Sequence, residues 1–227
     1  MQVAEHFSVV LFDLDGTLID AVEDLAEAAN AALVQLDRPQ RSLEQIGSWL
    51  GNGLSPLLHR ALTGDMDGEA SEALHTDTIA RFRAKYILCG HARTRVLPGA
   101  TELLQRLRDR NVFTAITTNK PQDATESVIA AIGEQLPVDA VLGAENRWPR
   151  KPEPEMLHAA IAAGGGGHGV LVGDSVTDRD AAANAGIAFV AVRGGYNQGC
   201  DIADVLEAGT PVFDDLHGVR QWLEARI

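Results

Sequence analysis

Two aspartates, Asp13 and Asp15, stand two residues apart directly after the apolar run Phe7–Phe12 (FSVVLF). A run of that kind predicts a strand buried on both faces, as in a parallel sheet. Both carboxylates then lean toward one side of the strand's mouth. Carboxylates this close repel each other unless a cation lies between them or one keeps a proton. A hard cation with oxygen ligands is the simplest solution. A second acidic pair, Asp174 and Asp178, follows the apolar Val170–Val172. Two acidic pairs at two strand ends predict one shared site. Taken singly, each aspartate also reads as an ordinary helix cap or turn residue.

Two further segments add groups that bind anions. Thr118-Asn119-Lys120 follows a strand expected to end at Thr117. A hydroxyl and adjacent backbone N–H groups at a helix start make an anion site, although an ordinary N-cap has the same composition. Lys151 lies in Arg-Lys-Pro-Glu-Pro, where Pro152 and Pro154 predict a stiff, extended loop. An ammonium presented rigidly beside carboxylates can bind phosphate. Alone, it reads as a solvent-facing lysine.

The elements that must position these residues alternate. Asp20 to about Leu36 has helical apolar spacing, and Ser42–Leu50 reads as a helix with Ser42 and Gln45 as a capping box. Helices are also expected over Leu54–Leu62 and Glu69–Leu88, with no strand between Asp20 and Arg93. After that, helices over Pro98–Arg110, Pro121–Ile132, Pro154–Ala163 and Thr177–Ala185 alternate with strands over Val112–Thr117, Val138–Leu142, Val170–Val172 and Ala188–Val192. Gly164–Gly167 is expected to be a loop, and Pro211–Phe213 a last short strand before a C-terminal helix. Alternation of this kind predicts an α/β fold: a doubly wound, Rossmann-like parallel sheet covered on both faces. The all-helical stretch interrupts it as an inserted cap. The expected division is residues 1–19 and 95–227 for the core and 20–94 for the helical cap. In such sheets ligands sit beyond the carboxyl ends of the strands, where all the polar segments above fall.

The 227-residue chain is 45% hydrophobic and 22% charged, ordinary proportions for a globular protein with a real core. Its formal net charge of −13 disfavours nucleic acid as a partner. The arginines between Arg81 and Arg95 lack interleaved aromatics for base stacking and read as a solvated helix face. No apolar run approaches the roughly 18 residues a membrane helix needs, and Met1–His6 has no signal-peptide pattern. Cys89 and Cys200 form neither metal-type spacing nor a disulfide framework, which fits a reducing cytoplasm. Oligomeric state leaves no trace in the sequence.

Asp13-Leu-Asp-Gly-Thr-Leu-Ile-Asp20, then Thr118, then Lys151, then Gly173-Asp174-Ser-Val-Thr-Asp178 resemble the four ordered motifs of the haloacid dehalogenase superfamily. The resemblance covers nearly the whole chain. It implies that Asp13 attacks phosphorus and forms an aspartyl-phosphate. Asp15 would protonate the leaving alcohol and then deprotonate water, while its backbone carbonyl binds the metal. Thr118 and Lys151 would hold the phosphate oxygens. Mg²⁺ would be the cofactor, ligated by Asp13 and Asp174, with Asp178 orienting a metal-bound water or Lys151.

The insert resembles the helical cap of one superfamily branch, which closes over the site and excludes water. Trp49-Leu-Gly-Asn-Gly53, Thr118-Asn119-Lys120-Pro121 and Gly195-Tyr-Asn-Gln-Gly199 are similar to stretches of bacterial phosphoglycolate phosphatases. The implied partner is a small phosphate ester, with Asn119, Asn52 and Gly53 added to Thr118 and Lys151 as substrate-binding residues. Trp49 also reads as cap packing, and Gly195–Gly199 as a surface turn. Other readings remain open at this point. A sugar phosphomutase also carries Asp15 and a helical cap. A dehalogenase has no use for the acid Asp15, and a phosphonatase needs a cap lysine, for which only Lys85 is present. A scaffold that kept the fold without catalysis is the non-enzymatic alternative. Val176, Thr177 and Glu145–Trp148 depart from the pattern of the group.

Overall fold

The structure, a computed structural model, describes residues 6–145 and 147–227. Residues 1–5 of the N-terminal reading, and Asn146 of the Glu145–Trp148 run, lie outside the described residues. Strand β1 (Val9–Phe12) is buried along its whole length because neighbours flank it on both edges. After the turn that follows, β2 (Ile19–Asp20) leads into helices α1 (Val22–Gln35), α2 (Leu43–Ser48), α3 (Leu54–Thr63) and α4 (Glu72–Leu88). Strand β3 (Arg95–Val96) then pairs antiparallel with β2. The chain continues through α5 (Ala100–Asp109), β4 (Phe113–Pro121), α6 (Gln122–Ile132), β5 (Ala140–Ala144), α7 (Glu155–Ala163) and β6 (Gly169–Gly173). It closes with α8 (Val176–Ala185), β7 (Ala188–Val192), β8 (Val212–Phe213) and α9 (Leu216–Glu224).

The main sheet runs in the order β5-β4-β1-β6-β7-β8, and all of its pairings are parallel. Alternate residues of β1 feed two layers. Val10 and Phe12 join a cluster with Leu103, Leu104 and Leu107 of α5, Val128 of α6 and Leu223 of α9. Val9 and Leu11 face Met156 and Leu157 of α7 and Ala181 and Ala182 of α8. That is the period-2 alternation of a strand covered on both faces. The first cluster continues without a break into the helical insert through Leu25, Leu33, Leu57, Phe82 and Tyr86. No helix among the described residues is long and apolar enough to cross a membrane.

The helices form where their caps and stripes predict. The Ser42–Gln45 capping box is present at α2, and Ser175 and Asp178 form a second at α8. Differences from the sequence reading lie at boundaries. The β2–β3 ribbon was not expected; two-residue strands are too short to show a period. Strand β4 runs on to Pro121, so Thr118-Asn119-Lys120 is strand and not the start of a helix, and α6 begins only at Gln122. Its pairing with β5 shifts register between Thr118 and Pro121, which lets the strand end bend without stopping. Helix α5 starts at Ala100, because Gly99 takes a left-handed conformation ahead of it.

Candidate active site

The carboxyl ends of β1, β4 and β6 place the site. The Asp13 N–H donates to the Val172 carbonyl at 2.9 Å, which carries the β1–β6 ladder one residue past the strand. The Leu14 carbonyl then accepts from Thr17, Leu18 and Ile19, folding Asp13–Ile19 into a tight turn. Gly16 has φ +91°, and a Cβ there would strike the Asp174 carboxylate and lie 2.8 Å from Tyr196 N. Only glycine allows that approach.

Four charged residues converge. Lys151, 4% exposed, uses all three ammonium protons: Asp13 Oδ1 at 2.6 Å, Asp178 Oδ1 at 2.5 Å and the Thr117 carbonyl at 2.8 Å. Burial alone would lower its pKa, but Asp13 and Asp178 win and raise it. Carboxylate oxygens of Asp13, Asp174 and Asp178 lie within 4.8 Å of one another, all buried. Burial pushes the Asp13 carboxyl up to about 7 against the pull of Lys151, with Asp178 and Asp15 adding to the rise. Asp174 is raised too, by burial first and then by Asp13 and Asp178. Three buried carboxylates facing one ammonium leave negative charge in excess. All the donors are hard oxygens, so the cluster fits Mg²⁺.

Asp15 takes a different partner in the same cavity. Its carboxylate receives Lys120 Nζ at 2.8 and 3.1 Å, and the same ammonium lies 4.7 Å from the centroid of the Tyr86 ring on α4. Thr118 is buried, with Oγ1 accepting the Lys120 N–H at 3.2 Å. Asn119 is a clamp: its Oδ1 accepts from Lys151 N at 2.7 Å, and its Nδ2 donates to Lys151 O at 3.0 Å. With both amide atoms engaged, the side chain holds the Lys151 loop while lining the cavity wall. That loop is a turn, closed by Glu153 N to the Arg150 carbonyl at 3.0 Å, and not the extended segment expected from its prolines.

A cavity of about 80 Å³ opens between these groups and the insert. Asp13, Asp15, Thr118, Asn119, Lys120 and Lys151 form its polar floor, and Leu50, Leu54, Leu57, Phe82, Arg83 and Tyr86 face them from the insert. Gly51 and Gly53 line it, while Asn52, expected there, is not among the lining residues. Trp49 packs in the hydrophobic cluster, in line with cap packing.

Arg83 and Lys120 were missed as site residues. Arg83 belongs to the cluster read as a solvated helix face. Instead its guanidinium pairs with Glu145, and Nε is buried without a hydrogen-bond partner. Its one sequence signal is the spacing Phe82-Arg83-Tyr86 on one side of a helix. Lys120 stood inside a recognised motif, but nothing in the sequence shows where its ammonium lands.

Gly195–Gly199 is not a plain surface turn. Tyr196 N donates to Asp174 Oδ2, and the Tyr196 hydroxyl bonds to Asp20 while accepting from Ala21 N and Val22 N at 3.2 and 3.1 Å. Gln198 N donates to Leu50 O at 3.0 Å, and a Cβ on Gly51 would strike the Tyr196 carbonyl. This stretch therefore joins the Asp174 carboxylate to the loop Trp49–Gly53 of the insert.

A helical insert between β1 and β4, above acidic strand ends and a buried lysine, defines a capped α/β hydrolase. The chain belongs to the haloacid dehalogenase-like hydrolase family, whose model matches residues 10–192. It is similar to the phosphoglycolate phosphatase of Thiobacillus denitrificans, with 36% identity over 205 residues, covering 89% of this chain and 90% of that protein. The phosphoglycolate phosphatase of Pseudomonas syringae pv. tomato is also 36% identical, over 215 residues covering 92% of this chain and 76% of that protein. Among solved structures, a predicted phosphoglycolate phosphatase from Haemophilus somnus matches with TM-score 0.83 and 28% identity, covering 95% of this chain and 97% of that one.

Proposed function

We propose that this protein is a Mg²⁺-dependent phosphatase of small phosphate monoesters, with 2-phosphoglycolate as the preferred substrate. The observation that carries the reading is the buried Lys151 bonded to both Asp13 and Asp178, with Asp174 beside them and Asp15 facing the same cavity. Asp13, Asp174 and the Asp15 backbone carbonyl would hold the metal, with Asp178 in support. Bound there, Mg²⁺ offsets the repulsion between an anionic nucleophile and an anionic substrate.

The chain's own residues supply the rest. A carboxylate oxygen of Asp13 forms a bond to phosphorus as the bond from phosphorus to the ester oxygen breaks. Asp15 delivers its proton to the departing alcohol, then takes a proton from the water that cleaves the aspartyl-phosphate, so Asp13 and Asp15 return to their starting states. Lys151 and Thr118 neutralise and orient the phosphoryl oxygens. Asp178 and Asn119 hold Lys151, the first through its ammonium and the second through its backbone.

Arg83 serves the carboxylate of phosphoglycolate. It lines the cavity from the insert, and its Nε–H lacks a partner that a bound carboxylate would provide. The similar phosphoglycolate phosphatases support the same substrate. The test is a panel of phosphate esters ranked by kcat/KM, before and after EDTA treatment. Phosphoglycolate should lead the hexose phosphates, and EDTA should abolish turnover until Mg²⁺ is restored. Preference for a hexose phosphate would overturn the substrate assignment, and full turnover after EDTA the metal role.

A further inference from the structure

Where the chain enters and leaves the insert, three side chains of different chemistry face one another. Asp24 lies in the first turn of α1, Cys89 caps the end of α4, and His91 follows two residues later. One ligand atom from each lies within 4.8 Å of the others. Asp24 is 2% exposed and His91 5%. None of the three belongs to the phosphatase chemistry proposed above.

From this geometry we propose a second metal site, formed by Asp24, Cys89 and His91, that takes a borderline divalent ion such as Zn²⁺ or Co²⁺. The donor set separates it from the Mg²⁺ cluster. Thiolate and imidazole select zinc-like ions, whereas an all-oxygen site selects magnesium. The spacing agrees. Zinc bonds of about 2.3 Å to sulfur and about 2.0 Å to nitrogen, opened to a tetrahedral angle, put S and N about 3.5 Å apart. Cys89 Sγ and His91 Nδ1 are 3.6 Å apart without any ion.

The surrounding hydrogen bonds leave a ligand atom free on His91 and on Asp24, while Cys89 Sγ accepts the His91 N–H at 3.4 Å. His91 Nε2 meets Ser127 Oγ at 2.8 Å; with the ring proton on Nε2, the Nδ1 lone pair points at the sulfur. Asp24 receives Arg93 N at 3.2 Å and Thr94 Oγ1 at 2.7 Å, both on Oδ2, which leaves Oδ1 for a ligand. The Cys89 thiol donates to the Tyr86 carbonyl at 2.9 Å. On metal binding the S–H bond breaks, its proton leaves to solvent and its electron pair forms the metal–sulfur bond. Three protein ligands leave a fourth position for water. Because Asp24 follows β2, Cys89 and His91 precede β3, and Ser127 belongs to α6, the ion would tie both linkers of the insert to the core.

The test is titration of the full chain with Co²⁺ alone, followed by absorption spectroscopy in a Cys200→Ser background. One equivalent should produce a thiolate-to-cobalt charge-transfer band that Cys89→Ser abolishes and that His91→Asn weakens through at least a tenfold loss of affinity. Mg²⁺ in large excess should leave the band in place, which separates this site from the catalytic cluster. A spectrum identical in parent and Cys89→Ser proteins would overturn the proposal. Alkylation of the unmutated protein keeps the test independent of variant folding: Zn²⁺ should slow iodoacetamide modification of Cys89 at least tenfold. An unchanged rate would also overturn it.

Discussion

Lys120 Nζ sits 2.8 Å from Asp15 Oδ2 while lying over the Tyr86 ring, so one ammonium spans the core and the insert. Lys120 is 8% exposed, and although burial would lower its pKa, Asp15 and Tyr86 raise it. A fixed cation of this kind sets the direction of the Asp15 carboxylate.

Lys120→Met should therefore lower kcat about 10–100-fold on alkyl phosphates. The loss on p-nitrophenyl phosphate should be much smaller, since p-nitrophenolate leaves without a proton. The ratio of the two losses is the readout. Equal losses would mean that Lys120 acts through structure alone.

Arg83→Met should reduce kcat/KM for phosphoglycolate roughly 10–100-fold, the worth of a charge-assisted hydrogen bond. p-Nitrophenyl phosphate, which has no carboxylate, should lose less than about threefold on the same scale. Asn52→Ala should affect both substrates alike, because Asn52 does not line the cavity. A loss confined to phosphoglycolate in Asn52→Ala would return that residue to the site.

Magnesium affinity should depend on pH with a defined sign. Burial, opposed by Lys151, leaves the Asp13 carboxyl at about 7, above its ordinary 3.8. Below about 7 a proton competes with the metal, so the apparent Kd should rise about tenfold per unit of falling pH when one proton is displaced. The same shift makes protonated Asp13 a source of stability in the metal-free protein. That contribution is complete below the ordinary value and is lost as pH rises through about 7. Calorimetric titration of Mg²⁺ between pH 5 and 8 checks the first point, and thermal melts of the metal-free protein over the same range check the second. A pH-independent Kd would contradict the account.

Tyr196→Phe should cost about 1–3 kcal/mol of stability. It strips the hydroxyl from Asp20 and from the N–H groups of Ala21 and Val22 at the entry to the insert. A melting temperature within a degree of the parent would show that water replaces the hydroxyl without penalty.

The core was legible because its signals are local. The apolar run of β1 fixes a two-sided strand, and the serine-glutamine spacing fixes the α2 cap. Asp13, Asp174 and Asp178 could be expected together because they follow strands of a parallel sheet, and such ends share one edge; Lys151 joins them through the motif resemblance. What the sequence hides is direction over long separation. Lys120 and Tyr86 are each unremarkable in sequence until a bent strand end and a helix face bring them together. The Thr118-Asn119-Lys120 segment reads as a helix start because the register shift that keeps it in β4 depends on pairing with β5. Arg83 looks solvated because the acid that holds it, Glu145, lies 62 residues away. Tyr196 likewise bonds to Asp20 across 176 residues.

The central claim is that Asp13 becomes phosphorylated during turnover. The most direct measurement is acid quench of enzyme turning over phosphoglycolate with Mg²⁺, borohydride reduction, and mass spectrometry of the peptide spanning Phe7–Asp20. Reduction converts an aspartyl-phosphate to homoserine, so homoserine should be found at position 13 and at no other aspartate, and only when substrate and metal are both present. Steady turnover with residue 13 recovered as unmodified aspartate, or homoserine at Asp15 or Asp174 instead, would contradict the account.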